Sequence, residues 1–64
     1  MTNEAKARAN ELALQASRIG AEVDRIEDRE DGGAVVVIAG PARDPMTNRR
    51  AETRISISPD GRRE

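Results

Sequence analysis

Apolar residues recur in a 4-3-4-3-4-3 rhythm at Ala5, Ala9, Leu12, Ala16, Ile19, Val23 and Ile26. Positions three and four apart share one face of an α-helix, so the spacing predicts an amphipathic helix. Thr2 and Asn3 are both suited to cap its start, and Glu4 sits at the positive end of its dipole. Residues 3–19 are rich in Ala, Glu, Leu, Arg and Gln, which favour the helical state. Gly20 allows two continuations. As the residue beyond the helix end it would take positive φ, leaving 21–28 as a first strand. As a mid-helix residue it would cost about 1 kcal/mol relative to Ala. The rhythm favours the second reading, with the helix running on to Asp28. Strand alternation would need apolar side chains where Arg25 and Glu27 stand. A hairpin through Asp31-Gly32 would set Asp28 against Val35, Glu27 against Val36 and Ile26 against Val37. The strand alternative is therefore short and bulged.

The pattern changes after Asp31-Gly32-Gly33, which breaks any helix. Ala34 to Ala39 is a β-branched, apolar run that predicts a strand over 33–39 covered on both faces and stopped by Gly40-Pro41. A loop from Ala42 to Arg50 follows. Thr53, Ile55 and Ile57 alternate with Arg54, Ser56 and Ser58, predicting a second strand over 51–58 with one wet face. Pro59-Asp60-Gly61 makes a turn, and 60–64 is expected to fray. The expectation is one α+β domain over 1–64, with the helix packed on a small antiparallel sheet.

Composition adds a difficulty. The 64 residues contain no Phe, Tyr, Trp, Cys or His. Aromatic side chains usually dominate small cores, and neither a disulfide nor a Cys/His metal site can replace them here. One helix covers one sheet face only. Val35, Val37 and Ala39, on the other side of the first predicted strand from Val36 and Ile38, are thus expected to meet a second copy in a homodimer. A helical zipper is disfavoured, because a parallel pair would bring Glu22 and Glu27 together as like charges.

Without His, Cys or Tyr, acid–base and nucleophilic work would fall to carboxylates, Lys6, Ser or Thr. The acidic cluster Glu22, Asp24, Glu27, Asp28, Glu30 and Asp31 is interleaved with Arg25 and Arg29, as on a solvated face, and lacks the spacing of a calcium loop. No catalytic residue, cofactor or metal site is expected. The net charge is −1, with five basic and eight acidic residues in 1–32 and six basic and four acidic in 33–64. In the second half, Arg43, Arg49, Arg50 and Arg54 form the candidate binding surface. The favoured function is a small protein-interaction module, acting as a homodimer or as an accessory or inhibitor subunit. The alternative is a nucleic-acid-binding regulator using the same arginines, weakened by the missing aromatics that would stack on bases. No apolar run nears the ~20 residues of a membrane span, and no leader pattern opens the chain, so a cytoplasmic protein is expected.

Overall fold

The computed structural model describes residues 1–43, 45–48 and 50–64, with the side chains of residues 41–43 outside that description. The order is α1 (Asn3–Arg18), β1 (Glu22–Asp28), β2 (Ala34–Arg43) and β3 (Arg50–Ile57). The strands form an antiparallel sheet in the order β1-β2-β3, and α1 lies on one of its faces. The expected α+β architecture is present.

Thr2 caps α1: its Oγ1 accepts from the Ala5 N–H at 3.1 Å and donates to the Pro59 carbonyl. Ala5, Ala9, Leu12 and Ala16 form the buried stripe. Three of these four are alanines, whose small side chains permit a close approach of helix to sheet. Ala5, Ala9 and Leu12 join Ala34, Val36 and Ile57 in one core, with Val23, Ile26, Ile38 and Ile55 packed at its margin.

The helix stops at Arg18, short of Asp28, and residues 22–28 form the strand instead. Its end is closed by two bonds. Gly20 N–H donates to Ser17 O at 3.1 Å and Ala21 N–H to Ala16 O at 3.0 Å, with Gly20 at φ 85°. This left-handed glycine cap satisfies carbonyls that the last turn leaves open. Ile19 does not extend the buried stripe; it is 84% exposed at the cap.

The periodicity misleads beyond this point for a geometric reason. In a regular strand, residues three apart face opposite sides. In β1, Val23 pairs with Ile38 and Arg25 with Val37, so Asp24 is an extra, bulged residue. The bulge returns Val23 and Ile26 to the same face, against Ile38 and Val36. A bulged strand thus reproduces the i, i+3 spacing of a helix. The register is also one residue from the expected one, with Glu27 opposite Val35 and Asp28 opposite Ala34.

β2 does not stop at Gly40-Pro41 but runs to Arg43. β1 has ended at Glu22, opposite Ala39, so this stretch pairs only with β3. The β2–β3 register is irregular between Ala39 and Arg43, which accommodates a proline that donates no ladder bond.

Hydrogen bonds tie the last residues to β3. Ser58 N–H donates to Arg62 O at 2.8 Å, Glu64 N–H to Ser56 O at 2.9 Å, and Arg63 bridges Ile57. Arg29 fastens this segment. Its guanidinium bonds the Glu64 carboxylate at 2.8 Å, the Ile57 carbonyl at 3.2 Å and Asp31 at 2.7 Å.

Candidate interaction surface

The sheet face away from α1 carries Glu22, Arg25 and Glu27 from β1, Val35, Val37 and Ala39 from β2, and Glu52, Arg54 and Ser56 from β3. This assignment follows from strict alternation around the bulge. Read in chain direction, β1 presents minus, plus, minus. Across β2, Arg50, Glu52 and Arg54 present plus, minus, plus.

The two charge series pair in order. Arg50 bonds Glu22 at 2.5 Å, Arg25 lies 3.8 Å from Glu52, and Arg54 bonds Glu27. Each pair joins β1 to β3, and therefore passes over the central strand. Arg50 also donates from Nε to the Gly40 carbonyl at 2.9 Å, while Arg25 reaches Asp24 and Glu27 along its own strand.

This lattice alters the case for a second copy on that face. Val37 is fully buried and Ala39 is 8% exposed within a single chain, while Val35 is half-buried. Among the described residues no further layer lies there, so the aliphatic stems of the arginines and glutamates provide the cover. From the sequence, Val35, Val37 and Ala39 are expected to need a partner for shelter. The chain meets that need for Val37 and Ala39 itself.

Electrostatics follow the geometry. The Glu27 carboxyl is held below its ordinary range, first by the hydrogen bond from Arg25 and then by the charges of Arg54 and Arg25. Arg25 is correspondingly pushed up by Glu27. In the C-terminal turn, the Ser58 hydroxyl lowers Asp60. A carboxylate with a depressed folded pKa contributes stability above its unfolded value, and this is lost as pH falls through the folded pKa. Glu27 thus predicts a loss of stability below pH ~4.5, the ordinary glutamate range, and Asp60 a further loss below pH ~3.8, the ordinary aspartate range. Glu27→Gln should flatten that loss without abolishing it, since Asp60 remains. Urea midpoints measured between pH 7 and pH 3 check this; an equally steep fall in the variant refutes it.

Of the four expected binding arginines, Arg50 and Arg54 lie in β3 and are engaged by carboxylates. Arg50, expected at the end of a loop, instead opens the strand, opposite Arg43. Arg49 lies outside the described residues, as does the Arg43 side chain. The hairpin between them carries Met46, 91% exposed, and Asn48 at φ 55°. The sequence pattern puts Glu22, Arg25 and Glu27 on a solvated face but does not show them paired with Arg50, Glu52 and Arg54 in one lattice. The mirrored charge order was the available signal, hidden while residues 22–28 were read as helix.

Among the described residues no cluster of acidic side chains is arranged to hold a metal ion, and no helix is long and apolar enough to cross a membrane. Comparison with protein-family models, curated proteins and solved structures gave no match.

Proposed function

We propose that this chain is a small, non-catalytic protein-interaction module, acting as a homodimer or as an accessory or inhibitor subunit in the cytoplasm. The observation that supports this reading is the in-order neutralisation of Arg50, Arg25 and Arg54 by Glu22, Glu52 and Glu27. A phosphate backbone is drawn to uncompensated cations. A mosaic of alternating charge instead suits a protein surface of matching pattern, where complementarity sets specificity and register. The β2–β3 hairpin, with exposed Met46 and with Arg43 and Arg49, is the contact segment of this reading. Binding residues concentrate on such loops, and arginine is favoured at interface centres.

The test separates protein from nucleic acid. At about 50 mM salt, where phosphate binding is strong, neither duplex DNA nor RNA should be retarded in a gel. A retarded band that fades with added salt would transfer the case to a nucleic-acid-binding regulator. Capture of a partner from the native host should weaken by about tenfold or more in an Arg43→Ala, Arg49→Ala double variant, with its melting temperature nearly unchanged. Arg50 is left intact there, because it also holds the Gly40 carbonyl and Glu22.

A further inference from the structure

We propose that β3 pairs with β3 of a second copy of this chain, antiparallel about Thr53, fusing two sheets into one of twice the width. The proposal rests on the interaction-module reading and names the partner for one edge of it.

Backbone direction is the first argument. Along an antiparallel strand, a residue turns its N–H and C=O to the same side, and successive residues alternate. Ser56 accepts from the Glu64 N–H, and Ser58 donates to the Arg62 carbonyl, both on the side of β3 away from β2. By alternation, Glu52 and Arg54 turn their N–H and C=O to that same outer side. Among the described residues, the backbone contacts on this outer edge lie beside Ser56–Ser58, where the C-terminal segment pairs. The edge from Ala51 to Ile55 is therefore a template for another strand.

Sequence then selects the register. With Thr53 opposite Thr53 of the second copy, Glu52 faces Arg54 and Arg54 faces Glu52. These are the residues whose backbone groups point outward, so they exchange N–H and C=O directly. Their side chains meet as opposite charges on the face that already carries the ion lattice, and the lattice continues across the junction. On the helix side, Ala51 falls opposite Ile55, which is half-buried in its own chain. Sliding by two residues in either direction sets Glu52 against Glu52 or Arg54 against Arg54. Sliding by one mismatches the backbone groups and puts side chains on the wrong face. The pairing ends at Ile55 because Glu64 already occupies the Ser56 carbonyl.

The opposite edge does not offer this. β1 carries Glu22, Asp24, Glu27 and Asp28 against Arg25 alone, so two copies would repel, and its bulge interrupts the edge.

A short strand junction buries less than a standard interface, so association should be visible by sedimentation from roughly 10 to 500 µM. The mass should rise from 7.0 kDa towards twice that value. Glu52→Pro removes an outward N–H while sparing the β2–β3 ladder, and should stay monomeric. Glu52→Arg and Arg54→Glu each place like charges across the junction and should be monomeric alone. Mixed together they restore every pair and should form a heterodimer. A wild-type monomer at the highest concentration overturns the proposal, as does a dimer that persists in folded Glu52→Pro, or folded charge variants that fail to associate on mixing. Should a variant not fold by circular dichroism, amide exchange of the wild type decides. Protection at Glu52 and Arg54 that rises with concentration supports the junction; free exchange there in a dimer overturns it. A monomer that still captures a host protein would defeat self-pairing and leave the interaction-module reading standing.

Discussion

Ile57→Ala should remove a large share of this protein's stability at 25 °C. Ile57 is fully buried, it is the largest such side chain with Val36 and Val37, and it packs against both α1 and β2. Truncating a buried isoleucine costs about 2–5 kcal/mol, from lost transfer energy and from the cavity left behind. A chain of 64 residues has a total stability of roughly 3–10 kcal/mol, so one such change removes much of it. The alanine-rich helix stripe aggravates the loss, because Ala5 and Ala9 have no spare volume to fill a hole between helix and sheet. Circular dichroism with a urea titration measures it. A midpoint within experimental error of the wild type would show that the core is not centred where Ile57 lies.

Gly33→Ala should be nearly as severe, through a different cause. Its backbone does not require positive φ. A Cβ there would overlap the Ile57 carbonyl oxygen and press on Arg29 Cδ and Asp31 Oδ1, each at 3.1 Å. The carbonyl belongs to the sheet backbone and cannot swing aside as a side-chain tip would. Gly33 also accepts from Arg29 N–H at 3.1 Å and donates to Asp31 at 3.0 Å, so the β1–β2 turn must shift with it. Forced insertions of this kind cost about 1–3 kcal/mol. Gly20→Ala is the control: its Cβ would meet nothing within 4 Å, and it pays only for the left-handed backbone. A thermal melt in which Gly33→Ala matches the wild type would refute the close approach.

The helix start and β3 were legible because each keeps an unbroken period, and β2 was legible as far as Ala39 because it is a continuous β-branched apolar run. β1 was not, because one extra residue at Asp24 gives a strand the spacing of a helix. Ile19 fitted the rhythm by position alone, while the Gly20 cap ended the element before it. Misreading β1 had a second cost. On a helix, Glu22 and Arg25 look like neighbours on a wet face. On a strand they belong to a series that meets its opposite two strands away. The shelter of Val37 by charged side chains was therefore out of reach of the pattern. That the C-terminal residues would be held by Arg29 was not visible either, since its partners Ile57 and Glu64 are 28 and 35 residues away.

The meander has a consequence for how the chain reaches its native state. Every strand joins only its immediate successor, so most of the ordering proceeds through short closures that cost little entropy. The longest closures among the hydrogen bonds of the described residues are the clasp of Thr2 on Pro59 and of Arg29 on Glu64. The first closes nearly the whole length of the polypeptide and the second about half of it, and both belong to the end of assembly, after the hairpins have already chosen their alignment.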